Sequence, residues 1–388
     1  MIPYGRQEML QADIDAVTEV LRSDFLTQGP CVPRFEQAVA NYCGARFGVA
    51  VNSATSALHV ACLALGLGPG DWLWTSPITF VASANCALYC GAQVDFVDVD
   101  PDTFNMSVQA LAAKLEAAKV AGRLPKVLVP VHMTGQSCDM EAIATLARKY
   151  GVRVIEDASH AIGGKYQGKA IGDCRYSDIT VFSFHPVKII TTAEGGMAMT
   201  NDEQLARRMG MFRSHGITRD SSEMSHASDG AWYYQQIDLG YNYRLTEIQA
   251  ALGLSQLDRL DAYVARRHEL AQRYDRLLQD LPLDLPGQAS YGYSAFHLYV
   301  VRLRDGVAGG RAAVFASLRE QGIGVNVHYI PVHTQPHYAR LGAKVGYGDG
   351  SFPHSNDYYA RTISLPMYAT LTEQQQDAVV EALRKALT

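Results

Sequence analysis

Three short segments of the chain carry residue types that one site could use together: Asn52-Ser53-Ala54-Thr55-Ser56-Ala57, Glu156-Asp157-Ala158-Ser159-His160-Ala161 and Ser183-Phe184-His185-Pro186-Val187-Lys188. In the first, small residues follow an apolar run and lead into a helical pattern. They leave backbone N–H groups uncovered at a helix N-terminus, where partial positive charge makes a ready phosphate site. Ser and Thr are also common as plain N-caps, so this segment alone is open to both readings. Asp157 stands at the end of an apolar strand. A carboxylate there can hydrogen-bond a protonated pyridine nitrogen and keep that ring an electron sink, or it can be a solvated loop or cap residue. Lys188 is flanked by Pro186, Val187, Ile189 and Ile190. Such neighbours partly desolvate an amine and depress its pKa, which makes it a better Schiff-base former; a lone loop lysine is otherwise a solvated charge. His160 is open to two readings, a packing histidine or a neighbour of the ring that Asp157 addresses.

These residues need a scaffold that gathers strand ends, and the periodicity supplies one. Leu10, Ile14, Val17 and Leu21 mark one face of an opening helix, and Phe35, Val39 and Tyr42 mark a second, closed by Gly44 as a C-cap. Strands over 47–51, 72–75, 93–97, 126–132, 153–156, 179–184 and 196–200 then alternate with helices over 55–65, 81–89 and 140–149. That alternation predicts a mixed, mainly parallel sheet with helices on both faces, and such sheets bind ligands at the carboxyl ends of their strands. Thr246 with Gln249 is a capping box opening a long helix that reaches to about Leu281. Beyond it, strands over 296–303 and 324–329 and helices over 312–320 and 373–387 describe a smaller α/β unit. The expected organisation is a large domain over 1–245, a linking helix over 246–281 and a small C-terminal domain over 282–388. The polar stretch 217–236 reads as an excursion from the large domain.

Composition sets bounds. With 388 residues, 48% hydrophobic and 19% charged, the chain has apolar material for more than one core. A formal net charge of -5 without a run of Lys or Arg excludes an evident nucleic-acid surface. The opening MIPYGRQEML lacks the pattern of a signal peptide, and no apolar run is long enough for a bilayer. Seven scattered cysteines without a Cys-x-x-Cys pair read as reduced thiols, and the cytoplasm is the expected compartment.

Other patterns carry less. His328, His333 and His337 lie close together, but two prolines preclude a regular helix aligning them, and no acidic ligand is interleaved. They read as surface and substrate-loop histidines, and no metal is expected. Gly66, Gly68 and Gly70 follow a helix rather than a strand, so they form a turn and not a dinucleotide loop. Glu194-Gly195-Gly196 reads as a turn that lies close to Lys188.

In their order and spacing, the three segments, followed by Thr191-Thr192-Ala193-Glu194-Gly195-Gly196, resemble the sugar-nucleotide branch of the fold-type I pyridoxal 5′-phosphate (PLP) aminotransferases, the DegT/StrS family. The resemblance runs from Tyr4-Gly5-Arg6 to Val327-His328-Tyr329-Ile330-Pro331. It implies a large PLP-binding domain plus a smaller C-terminal α/β domain. Lys188 would carry the cofactor as a Schiff base and shuttle protons, and Asp157 would partner the pyridine nitrogen. Ala54, Thr55, Ser56 and Ser183 would hold the phosphate. Phe80 matches the aromatic that stacks on the ring, with His160 against it where many relatives carry Gln. Asn242, in Gly240-Tyr241-Asn242-Tyr243-Arg244, matches a residue that reaches the phosphate from the neighbouring subunit of a homodimer. Tyr4, the run Asp24, Phe25, Leu26 and Thr27, and the run His328, Tyr329, Ile330 and Pro331 fall where such enzymes meet a nucleotide sugar. The wording around Lys188 points to amination at C4 of a UDP-linked 4-keto-6-deoxy-N-acetylhexosamine with L-glutamate as donor, as in pseudaminic acid biosynthesis. A dTDP- or GDP-linked keto-sugar is the alternative. Related dehydratases carry histidine at the lysine position, and Lys188 speaks against them. An oxidoreductase would need a glycine fingerprint that is missing, and a non-catalytic regulator would not need Lys188 and Asp157 together.

Overall fold

A computed structural model describes the whole chain except Asp349 and Thr388. Its centre is a seven-stranded sheet of β1 (Phe47–Val51), β2 (Trp72–Thr75), β3 (Gln93–Phe96), β4 (Val127–Val129), β5 (Arg153–Asp157), β6 (Ile179–Ser183) and β7 (Gly196–Thr200). The strand order is β1-β7-β6-β5-β4-β2-β3, and only β7 runs against its neighbours. The expected α/β fold with a mixed, mainly parallel sheet is thus present. These strands are nearly continuous apolar runs because both faces are covered.

Thirteen helices of the described residues surround the strands: α1 (Gln11–Leu21), α2 (Cys31–Cys43), α3 (Ala54–Ala64), α4 (Ala82–Tyr89), α5 (Val108–Val120), α6 (Met140–Tyr150), α7 (Glu203–Arg213), α8 (Glu247–Leu257), α9 (Leu260–Leu278), α10 (Gly310–Glu320), α11 (Pro336–Val345), α12 (Pro353–Arg361) and α13 (Glu373–Leu387). Alternate side chains sort to opposite faces. Val49, Val51, Ile155, Val181 and Ala198 pack with α3, α4 and α7. Ala50, Phe182, Met197 and Met199 pack with α2 and α8, while Leu128 and Val154 pack with α5 and α6. A second core joins the end of α9 to α10, α13 and a three-stranded sheet of Leu283–Asp284, Tyr299–Leu303 and Thr362–Leu365. The first residues of the chain reach this unit: the Ile2 N–H bonds the Gly322 carbonyl at 2.9 Å, and the Gly324 N–H returns to Ile2 at 2.6 Å.

Three expectations are corrected. The stretch after Thr246 is not one helix. The capping box is present, but the helix breaks at Asp258 and Arg259, where the Arg259 guanidinium turns to Asp13 at 2.7 and 2.8 Å. The opening helix docks through Asp13, 1% exposed, rather than through its apolar stripe. Leu10, Ile14 and Leu21 of that stripe are 41%, 53% and 56% exposed. The stretch 324–329 forms no strand and is tied to the small sheet by the single bridge Asn326–Ser364. In the histidine-rich stretch α11 begins only at Pro336, where a missing N–H costs nothing, and leaves His328 and His333 outside the helix. The excursion is closed at its base by Ile217–Thr218 pairing with Gln235–Gln236.

Candidate active site

The carboxyl ends of β1, β5 and β6 converge on the N-termini of α3 and α4. Ser53, the N-cap of α3, accepts the Ser56 N–H at 3.1 Å, and the Ser56 hydroxyl donates to Asn52 Oδ1 at 2.7 Å. The Ala57 N–H bonds the Ser53 carbonyl. The Ala54 and Thr55 N–H groups have no partner among the described residues, so the donors of this turn are concentrated there. Gly196 faces the same turn, and a Cβ on it would lie 2.5 Å from the Ala54 nitrogen. Glycine is therefore required for β7 to approach α3. Ser183 pairs with Gly196 in register and stands beside this turn.

Asp157 is the last residue of β5 rather than the residue after it, and it is 5% exposed. Its Oδ2 accepts the Ser83 hydroxyl of α4 at 2.6 Å, and Ser83 contacts Thr79 Oγ1 at 2.7 Å. Its Oδ1 accepts the Ser159 N–H at 3.1 Å. Lys188 sits in a loop pinned at both ends: the Phe184 N–H bonds the Gly195 carbonyl, and the Thr192 N–H bonds the Phe184 carbonyl. Ile189 and Ile190 anchor it in the core. The Lys188 side chain keeps some accessible surface, yet desolvation lowers its pKa to about 8. The Asp157 carboxylate opposes that shift by favouring the ammonium.

His160 lies between these groups and the small sheet. Its Nε2 is 3.0 Å from the Tyr329 hydroxyl, and its Nδ1 is buried without a partner. Burial first, then Lys188 and His328, hold it well below the usual imidazole pKa. His328 Nδ1 contacts the Ser364 hydroxyl at 2.8 Å, and desolvation pushes its pKa down to about 3. Tyr4 packs its ring 5.4 Å from that of His328. Phe80, 58% exposed, stands 6.1 Å from the Tyr329 ring. Lys188, Asp157, His160, Phe80, Tyr329, His328 and Tyr4 thus form one cluster, with Pro331 buried beside it and Ile330 exposed.

Other expected residues stand apart. Asn242 is exposed on a segment that pairs with Ser214. Asp24, Phe25, Leu26 and Thr27 are exposed, with the Leu26 carbonyl taken by the Glu247 N–H of α8. Within the described residues of this chain none of them hydrogen-bonds to or stacks on the Lys188 cluster. His333, expected on the surface, is buried against Phe352 at 4.8 Å; no group of three His, Cys, Asp or Glu among the described residues is arranged for a metal ion. No helix of the described residues is long and apolar enough to cross a membrane. The sequence reading missed Ser83 and His297, each a lone polar residue in an apolar run, Ala82-Ser83-Ala84 and Phe296-His297-Leu298.

A family model described as DegT/DnrJ/EryC1/StrS aminotransferase matches residues 7–384. The chain belongs to that family. It is 42% identical over 386 residues to the spore coat polysaccharide biosynthesis protein SpsC of Bacillus subtilis, covering 99% of this chain and 96% of that one. It is 36% identical, with the same two coverages, to the UDP-4-amino-4,6-dideoxy-N-acetyl-beta-L-altrosamine transaminase of Campylobacter jejuni. Helicobacter pylori PseC, an aminotransferase involved in pseudaminic acid biosynthesis, superposes with a TM-score of 0.90 at 32% identity, covering 100% and 99% of the two chains. The candidate sugar aminotransferase Spr1654 of Streptococcus pneumoniae, solved in its PLP-form, superposes with a TM-score of 0.89 at 28% identity, covering all of both chains.

The protein is a PLP-dependent sugar aminotransferase of fold type I. Its residues fit the cofactor: a low-pKa lysine, a buried carboxylate facing it, and a glycine-lined turn with two free amides. Bound there, the cofactor supplies an electron sink for amino transfer.

Proposed function

We propose that the enzyme transfers an amino group from L-glutamate to C4 of a UDP-linked 4-keto-6-deoxy-N-acetylhexosamine, as in pseudaminic acid biosynthesis. The observation that carries the chemistry is Lys188, its pKa lowered to about 8 by burial, placed where the buried Asp157 carboxylate acts on it. An amine in that range is available as free base near neutral pH, and it can accept and return a proton at the substrate carbon. Asp157 holds the ring nitrogen's proton, and Ser83 orients Asp157. The amides of Ala54 and Thr55, with the Ser56 and Ser183 hydroxyls, hold the phosphate. Phe80 and His160 line the ring's faces. Tyr4, Asp24 to Thr27 and His328 to Pro331 receive the nucleotide sugar.

The substrate reading is supported by the names of the Campylobacter and Helicobacter relatives. We further infer a cytoplasmic homodimer in which Asn242 serves the partner's site. In its favour are an exposed Asn242 and the outward-facing Leu10, Ile14, Leu21, Phe25 and Leu26, an apolar surface of the kind that interfaces cover. A second reading, another nucleotide-linked keto-sugar, is favoured by the 42% identity to SpsC.

The test offers purified enzyme a panel of UDP-, dTDP- and GDP-linked 4-keto sugars with glutamate and follows 2-oxoglutarate. Turnover of the UDP-N-acetyl sugars is expected. Selective use of a dTDP-linked 4-keto-6-deoxyglucose, with none of the UDP-N-acetyl sugars, would overturn the assignment in favour of the second reading.

A further inference from the structure

His297 has no role in the scheme above, yet it is 4% exposed and its ring lies 4.4 Å from that of His160, tilted by 42°. Its Nδ1, like that of His160, is buried without a hydrogen-bond partner. The backbone around it is held on every side. Arg267 of α9, 2% exposed, donates one guanidinium nitrogen to the carbonyls of Phe296, His297 and Met367 at 3.0, 3.2 and 3.0 Å. The Ala295 N–H bonds the Gly135 carbonyl at 2.9 Å, and the Leu298 N–H bonds the Thr134 carbonyl at 3.2 Å. Gly135, at φ +107°, lets the chains approach so closely that a Cβ there would lie 3.0 Å from both the His297 nitrogen and the His160 carbonyl oxygen. His297 therefore has little room to withdraw from His160.

We propose that His297 is a positioning residue for His160: packed against that ring and anchored through Arg267, it fixes the imidazole beside Lys188 and keeps water from its buried nitrogen. The proposal rests on the reading of His160 as the cofactor ring's neighbour. An imidazole gains its second proton only where that proton finds water or an acceptor. Nε2 of His160 is engaged by Tyr329, and Nδ1 is buried with no protein partner among the described residues. The charged and titratable groups facing the two rings are Lys188 from the loop after β6, His328 and Tyr329 from the stretch before α11, and Arg267 from α9. Asp157 is the carboxylate that acts on Lys188 and Tyr329. Burial first, and then Lys188 and His328 for His160, and His160, Lys188, Arg267 and His328 for His297, hold both imidazoles well below their usual pKa. A neutral imidazole can lie against a ring that carries a proton on its nitrogen, whereas an imidazolium would repel it.

The experiment follows histidine NMR signals of the full chain against pH, with and without pyridoxal phosphate, beside the pH profile of kcat. In the native protein His160 should stay neutral from about pH 5 to 9. In His297→Ala it should titrate near the ordinary value of about 6.5, and kcat should fall on the acid side of that midpoint. His297→Phe keeps a ring against His160 and should leave it silent, with a profile close to native. Should His297→Ala fail to fold, His297→Asn opens a smaller gap with the same expectation. A His160 that titrates in the native protein, or stays silent in every smaller variant that folds, overturns the proposal. If His160 becomes titratable as expected but its protonation changes neither cofactor affinity nor kcat, positioning stands, and the reading of His160 as the ring's neighbour fails.

Discussion

Glu156 and Asp157 are consecutive residues of β5, both buried, and they live in different worlds because a strand sends them to opposite faces. Glu156 is enclosed. Its Oε2 accepts from His132 Nε2 at 2.7 Å, and its Oε1 accepts from Ser177 and Thr180 at 2.5 and 3.1 Å. His132 Nδ1 accepts the Cys138 N–H at 3.1 Å, which leaves Nε2 to donate to Glu156. Burial works to raise the Glu156 pKa, but these donors outweigh it and hold the carboxyl below its usual range. Asp157 has one hydroxyl and one amide, and beyond them it acts on Lys188. A buried carboxylate whose donors are all protein groups is there for structure; one left facing a low-pKa amine is available for chemistry.

The sharpest way to break this comparison is to remove each carboxylate in turn. Asp157→Ala should lower kcat by about 10²–10³-fold, the size of losing one preorganised electrostatic group, with little change in denaturant midpoint. Comparable turnover with both half-reactions intact would defeat the assignment. Glu156→Ala should do the reverse. It strands the donors of His132, Ser177 and Thr180 and should cost about 3–5 kcal/mol of stability, while the folded fraction stays active. The acid limb follows by sign. Because the folded Glu156 pKa lies below its unfolded value, its stabilisation is present above about pH 4.3 and is lost as pH falls through the folded value. The variant's stability should therefore depend less on pH in that range, as denaturant titrations at pH 3 to 6 would measure.

Smaller effects sharpen the Asp157 side. Ser83→Ala deletes the 2.6 Å bond to Oδ2 and should lower kcat by about tenfold, in keeping with the ~1.5 kcal/mol of a hydrogen bond to a charged group, with full-length cofactor-loaded enzyme assayed at saturation. The smallest expected effect is on Lys188. Covalent capture of pyridoxal phosphate by cofactor-free protein, trapped with borohydride, should rise with pH and reach half its limit near pH 8, since only the neutral amine attacks. Asp157 favours the ammonium, so Asp157→Asn should move that midpoint to lower pH. A midpoint near 10.4, the ordinary lysine value, would show that desolvation does not govern Lys188.

The site was legible where its signals are local. Apolar flanks marked Lys188, a strand end marked Asp157, small residues before a helix marked α3, and Thr246 with Gln249 marked the start of α8. Each of these is read from a few neighbouring residues, because strand and helix periods and cap chemistry act over one turn or one pleat. What was not legible depends on partners far along the chain. The helix after Thr246 breaks where Arg259 meets Asp13, 246 residues away. The same pairing turns the polar side of α1 inward and leaves its apolar stripe outside, since periodicity shows that a stripe exists and not what it faces. Tyr4 comes to His328 only because Ile2 bonds Gly322 and Gly324. Ser83 reaches Asp157 across the sheet from α4, and His297 reaches His160 because Gly135 and Arg267 bring distant backbones together. The sequence by itself determined the seven strands of the main sheet in their order, the family, and Lys188 and Asp157 as candidates for the site. The tertiary structure alone decided which carboxylate is enclosed and which faces Lys188, because that depends on which donors the fold packs against each face of β5.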